Sequence, residues 1–144
     1  MSYHNKMKMK FLAISENESF ARSVVGVFAL QLNPSLSQIS DIKTAVSEAV
    51  TNCIVHGYPK GTVGEIELES EIKDGVIHIN VFDHGVGIEN LEQALEPFYT
   101  TKGEEERSGM GFTIMKTFMD DIKVNSKYGE GTCVYMSKKI IADT

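Results

Sequence analysis

The stretch from residue 65 to residue 82 constrains the fold most. Ile66, Leu68 and Ile72 alternate with Glu65, Glu67, Glu69 and Glu71. A period of two places the apolar side chains on one face of a strand and the carboxylates on the other. Asp74-Gly75 follows, and this pair suits a two-residue hairpin turn because both residues tolerate positive φ. The returning strand is predicted over 76–82. A hairpin with one acidic, solvated face must bury its other face, so a covering layer has to come from elsewhere in the chain.

Helical periodicity supplies that layer. Ser15 and Glu18 have capping-box spacing, and Phe20, Val24, Val27, Phe28 and Gln31 follow at helical intervals until Asn33-Pro34 stops the run. Ser35 and Gln38 form a second capping-box pattern, after which Ile39, Ile42, Val46, Ala49, Val50 and Cys53 trace one apolar stripe that Gly57 and Pro59 end. Residues 6–14 read as an edge strand whose lysines discourage pairing with other chains. Residues 112–119 read as a helix, and 122–126 and 132–140 as strands joined at Gly129-Glu130-Gly131. Between Asp83 and Gly111 lies a Gly- and charge-rich lid with one short helical candidate over 91–95, longer than an ordinary connection. The expected fold class is α+β: a two-layer α/β sandwich with a mixed, mostly antiparallel sheet and its helices on one face. Residues 1–144 read as one domain, since no repeat or Pro-rich linker divides them.

Composition narrows the partners. Asp and Glu number 20 against 14 Lys and Arg, so the surface repels a phosphate backbone and direct nucleic-acid binding is not expected. The first ten residues alternate Lys and Met without a signal-peptide core, and no stretch is apolar enough to span a bilayer, which predicts a cytoplasmic protein. The two cysteines, Cys53 and Cys133, lack metal-site spacing and read as small buried hydrophobes.

Three segments carry possible chemistry. Glu48 and Asn52, at i and i+4, project from one side of the second helix toward the edge of the core. A carboxylate there can take a proton from an attacking hydroxyl, and an amide oxygen suits a magnesium ion that keeps several waters. Asp83-His84-Gly85-Val86-Gly87 directly follows a strand. Its carboxylate can accept from the exocyclic amine of adenine, and its glycines admit a flat base, although the same residues also make an ordinary strand-ending turn. Ser108-Gly109-Met110-Gly111 opens a helix, where backbone amides form an anion site, or simply a flexible entry. No Gly-Lys-Ser/Thr follows, which excludes a P-loop. Arg107 stands ready for a γ-phosphate or for its acidic neighbours Glu104, Glu105 and Glu106, and Lys102 is a further phosphate candidate.

In this order and context, Glu48–Asn52, Asp83–Gly87 and Gly109–Gly111 resemble the GHKL superfamily of ATP-binding proteins, with its Bergerat-type fold. The runs SENESFAR at 15–22, VSEAVTN at 46–52 and RSGMGFTIM at 107–115 resemble, more narrowly, the anti-sigma factor serine/threonine kinases, and among them the sporulation group. The resemblance implies Mg-ATP as cofactor, with Glu48 as base, Asn52 as magnesium ligand and Asp83 as adenine reader. Gly85, Gly87 and Thr132 would line the base pocket, while Arg107, Ser108, Gly109, Met110 and Gly111 would hold phosphates. It also implies a homodimer that sequesters a sigma F-like RNA polymerase subunit, tightens on it when ATP orders the lid, and phosphorylates a small anti-anti-sigma protein on serine. Arg22 is a candidate sigma contact. The alternative is the catalytic domain of a histidine kinase. Of the four histidines, His4, His56, His78 and His84, none heads a long phosphoacceptor helix.

Overall fold

The computed structural model describes residues 4–58, 62–88, 95 and 111–142. Strand β1 (His4–Leu12) leads into helix α1 (Glu16–Ala29), a 3-10 turn (Leu30–Leu32), helix α2 (Leu36–Asn52) and one π-helical turn (Cys53–Gly57). Strands β2 (Glu65–Lys73) and β3 (Val76–Asp83) come next, then helix α3 (Gly111–Phe118) and strands β4 (Asp121–Lys127) and β5 (Gly131–Lys139). The sheet order is β1-β2-β3-β5-β4. The short helix expected over 91–95 falls, apart from Leu95, outside the described residues.

Every neighbouring pair in the sheet is antiparallel, which corrects the expectation of a mixed sheet. The reason lies in the connections. Two helices joined by a short link pack antiparallel, so the excursion through α1 and α2 returns the chain to the end of the sheet it left, and β2 runs back along β1. Strands β3 and β4 do run in the same direction, but β5 lies between them and is antiparallel to both.

The hairpin forms where expected, with Asp74 and Gly75 both at positive φ, 53° and 79°. Ile66, Leu68, Ile72, Ile77, Ile79 and Val81 are fully buried, and burial of each such side chain is worth roughly 1.5–3 kcal/mol. They pack in one cluster with Ile42, Ala45, Val46, Ala49 and Val50 of α2, Ala21 and Val25 of α1, and Met115 of α3. On the opposite face, register sets Lys8 against Glu69 and Lys10 against Glu67, with ion pairs of 3.3 and 3.2 Å. Glu71 takes His4 Nε2 at 2.7 Å. The acidic face is thus covered along β1, and Glu67 is held below the usual carboxylate range by its hydrogen bond to Lys10.

The two capping boxes part company. In α2, Ser35 is extended, its Oγ accepts the Gln38 N–H at 3.1 Å, and Gln38 Oε1 accepts the Ser35 N–H at 3.1 Å. At α1, Ser15 is itself helical, with no side-chain cap, and its hydroxyl donates to Glu16 Oε1 at 3.0 Å. The stripe expected on α1 is also rotated: Ala21, Val25, Gly26, Phe28 and Ala29 are buried, while Phe20 and Val27 are exposed. Small residues allow close approach to α2; a Cβ on Gly26 would lie 3.1 Å from Lys43 Cδ. Strand β1 starts two residues earlier than the lysine pattern suggested. Among the described residues no helix is long and apolar enough to cross a membrane.

Candidate functional site

The site is organised by the last turns of α2. Glu48 and Asn52 lie one turn apart on the same side, separated by about 6 Å of helical rise. Glu48 is buried and Asn52 half-buried. Helix α3 starts against Asn52: a Cβ on Gly111 would lie 3.0 Å from Asn52 Nδ2 and 3.2 Å from Oδ1. Glycine at 111 therefore lets the first turn of α3 sit directly on the amide, and two segments distant in sequence meet there.

Beyond Asn52 the helix widens into its π turn, a feature that often marks functional sites. That turn brings Cys53 and Gly57 against the end of β3. A Cβ on Gly57 would approach Asp83 Cγ to 3.0 Å, and one on Gly85 would lie 1.6 Å from the Gly57 carbonyl oxygen. The Gly57 carbonyl accepts the Val86 N–H at 2.7 Å. Only glycine permits this backbone-on-backbone approach.

Asp83 is 6% exposed. Its Oδ1 accepts the Gly85 N–H at 2.9 Å, and Cys53 and Thr132 flank the carboxyl, Thr132 as its partner across the β3–β5 ladder. Burial pushes this carboxyl above the usual aspartate value, and the Gly85 N–H with the polar groups of Cys53 and Thr132 pulls the other way. Burial, then the charge of Asp83, pushes the Cys53 thiol well up.

The turn between β4 and β5 supports the 83–88 loop from the other side. Gly87 has φ 76° and a Cβ there would meet Lys127 O at 2.3 Å; Gly131 has φ 109° and its Cβ would meet Asp83 O at 2.1 Å. The Gly129 N–H donates to Val86 O at 2.6 Å. Ser126 Oγ accepts the Ile88 N–H at 2.8 Å and lies 2.8 Å from Thr132 Oγ1. Tyr58 completes the frame, its hydroxyl donating to Glu65 O at 2.5 Å and accepting the His84 N–H at 3.0 Å.

Of the residues singled out from sequence, Asn52 and Gly111 meet directly, and Asp83, Gly85, Gly87 and Thr132 cluster beside the next turn. Glu48 lies one turn before Asn52. Arg107, Ser108, Gly109 and Met110, together with Lys102, lie outside the described residues. Sequence reasoning passed over Cys53, taken for an inert hydrophobe, and Gly57, taken for a helix stop. It also passed over Tyr58, Ser126 and Gly131. A glycine five positions after Asn52 was the available signal, but its role depends on the π turn. Of the histidines, His4 pairs with Glu71, His78 Nδ1 with Tyr135 OH at 2.7 Å, His56 lies within the π turn, and the His84 side chain is exposed.

Comparison with known proteins identifies the family. The profile of the histidine kinase-like ATPase domain family matches residues 13–138. The anti-sigma F factor of Caldanaerobacter subterraneus subsp. tengcongensis is 56% identical over 140 residues, covering 97% of both chains. The anti-sigma F factor of Clostridium acetobutylicum is 57% identical over 136 residues, covering 94% of both. Among solved structures, the RsbU and RsbW domains of a Mycobacterium tuberculosis protein superpose with a TM-score of 0.69 at 17% identity, covering 94% of this chain and 32% of that one. The catalytic domain of histidine kinase ThkA superposes with a TM-score of 0.59 at 16% identity, covering 93% and 96%. These two likenesses concern the fold, whereas the curated relatives match in sequence along nearly their whole length. The chain belongs to the histidine kinase-like ATPase domain family and, within it, to the anti-sigma F factors.

Proposed function

We propose that this protein binds ATP with magnesium, holds a sigma F-like subunit of RNA polymerase out of action as a homodimer, and phosphorylates an anti-anti-sigma protein on serine. The observation that carries the reading is convergence: Asn52 against Gly111, and Cys53 and Gly57 against Asp83, gather three separated segments along one end of α2. The residues fit the nucleotide. A buried carboxylate suits an exocyclic amine, and glycines at 85 and 87 leave room for a flat base. Thr132 borders the same place. Asn52 offers an amide oxygen to a magnesium ion that takes its other ligands from phosphates and water.

In this reading the bound nucleotide supplies the transferable phosphoryl group, and the chain supplies position and charge. Asp83 selects the base. Gly111, with Ser108, Gly109 and Met110, offers backbone amides to phosphate oxygens, and Arg107 adds charge-assisted hydrogen bonds. Glu48 orients the substrate serine hydroxyl and accepts its proton. The near-complete coverage of relatives named anti-sigma F factor supports a sigma subunit as partner, and a serine acceptor distinguishes this reading from a histidine kinase.

The test is incubation of the purified protein with labelled ATP, magnesium and an anti-anti-sigma protein. Acid-stable, alkali-labile phosphoserine is expected on the partner, with labelling lost in Glu48→Gln while nucleotide affinity stays within a few-fold. Acid-labile phosphohistidine, or full activity of Glu48→Gln, would overturn the assignment.

A further inference from the structure

On β5 the inward-facing row runs Val134, Met136, Lys138, set by register against Val81, Ile79 and Ile77. The first two side chains are buried, as is Ile140 just beyond the strand, so a lysine occupies a core-facing position where alternation calls for an apolar residue. Its side chain is only 14% exposed, and an ammonium so far from water needs partners. Two are present. Lys138 Nζ donates to Phe118 O, the last carbonyl of α3, at 2.7 Å, and lies 3.7 Å from Asp41 Oδ2 on α2. The corner after α3 is bolted to the same stretch of β5 through Asp120, whose N–H donates to Ser137 O at 2.9 Å and whose Oδ2 accepts the Lys139 N–H at 2.7 Å. Lys138 is the side chain that ties α2 into this corner.

Helix α3 has eight residues, a length of about 12 Å. The carbonyl end of a helix carries the negative pole of its dipole and groups without intrahelical donors, so an ammonium there both caps and anchors it. The other end of α3 is Gly111, seated on Asn52. Over so short a rod, a tilt of about 5° around the anchored end moves Gly111 by about 1 Å, which is more than a well-oriented site tolerates. We infer that Lys138 is a positioning residue for phosphate binding: by joining Phe118 O to Asp41 it sets the tilt of α3, and with it the seat of Gly111 on Asn52. The inference rests on the phosphate-holding role proposed for Gly111. Met115, midway along α3, is fully buried and keeps the helix against the core, so loss of Lys138 frees the tilt without releasing the helix.

The experiment is titration of wild type, Lys138→Met and Lys139→Met with ADP and with adenosine, which keeps the base and lacks the phosphates, followed by amide chemical shifts so that weak binding is still measured. Lys138→Met keeps the apolar stem and is expected to weaken ADP about three- to tenfold, a part of what one hydrogen bond to a charged group is worth, while adenosine stays within about twofold. Lys139 is exposed on the same strand, and Lys139→Met, with the same loss of charge, leaves both ligands within about twofold. Lys138→Gln, neutral and one bond shorter, is measured in parallel and is expected to behave as methionine does, which keeps the result decisive if the apolar variant does not fold. Equal weakening of ADP and adenosine would assign Lys138 to the fold alone and overturn the inference, as would unchanged ADP binding or the same selective loss in Lys139→Met. Wild type separates the two levels of the argument. If it binds ADP more tightly than adenosine, the phosphate site stands and Lys138 is decided on its own variants. If it binds the two alike, the phosphate-holding role fails and takes the inference with it.

Discussion

Gly85→Ala tests the frame around Asp83 most directly. The new Cβ would lie 1.6 Å from Gly57 O and 2.3 Å from the Gly57 carbonyl carbon, where ordinary contact begins at 3.4 Å. The loop has to retreat by nearly 2 Å. It cannot do so and keep its bonds, because Val86 N–H donates to Gly57 O at 2.7 Å, Gly129 N–H to Val86 O at 2.6 Å, and Gly85 N–H to Asp83 Oδ1 at 2.9 Å. Two neutral hydrogen bonds and one to a charged group together are worth about 3 kcal/mol or more, which is roughly a hundredfold in affinity. Global stability should fall less, by about 1–2 kcal/mol, since a loop can yield locally while the core stays closed. ADP titration calorimetry alongside urea denaturation reads both quantities. Gly129→Ala is the control: its φ is 86° but nothing lies within 4 Å of the added carbon, so only backbone strain of roughly 1 kcal/mol applies and ADP affinity should stay within threefold. If Gly85→Ala also binds ADP within threefold of wild type, the close approach of residues 57 and 85 does not hold the site.

Two further outcomes follow from named interactions. Ser35→Ala removes the side-chain acceptor of the Gln38 N–H in the α2 capping box, leaving the backbone N–H bond to Gln38 Oε1 in place, and should cost about 1 kcal/mol in urea denaturation with nucleotide affinity unchanged; no loss would show the cap to be energetically silent. Burial holds the Asp83 carboxyl above the usual 3.8 in the nucleotide-free protein, so the folded state keeps a proton that the unfolded chain has lost. Wild-type stability relative to Asp83→Asn is then greatest below that value and declines as pH rises through the raised pKa. A difference that stays flat in denaturation curves between about pH 4 and 7 would refute the sign.

Much of the fold was legible because it depends on short-range periodicity. Alternation over 65–72 and the Asp74-Gly75 pair specify strand, face and turn within a few residues, and Ser35 with Gln38 specifies a helix start. The same spacing at Ser15 and Glu18 misled, because the Ile14 N–H already bonds Leu12 O and the chain enters α1 through a tight turn with Ser15 inside it. The stripe on α1 was misjudged by weighing bulk: close packing on α2 favoured Ala21, Gly26 and Ala29 over Phe20 and Val27. The three chemical segments were visible as residue types, yet what joins them was not. The Asp83 and Thr132 pairing is set by the β3–β5 register, and the contact of Gly57 with Gly85 requires an extra residue in a helical turn. Both are tertiary facts with no periodic trace.

The placement of β5 between β3 and β4 has a bearing on how this scaffold can change. The chain leaves the sheet after Asp83 and re-enters the helical layer at Gly111, and both points adjoin the last turns of α2. Both flanks are anchored, Ile88 by its N–H bond to Ser126 Oγ and Gly111 by its approach to Asn52, and the four described ladders join β1 to β5 without drawing on either flank. Doubling the length of a loop adds only about 0.6 kcal/mol to the cost of closing it, so residues inserted between two such anchored flanks would leave the register of the antiparallel scaffold unchanged.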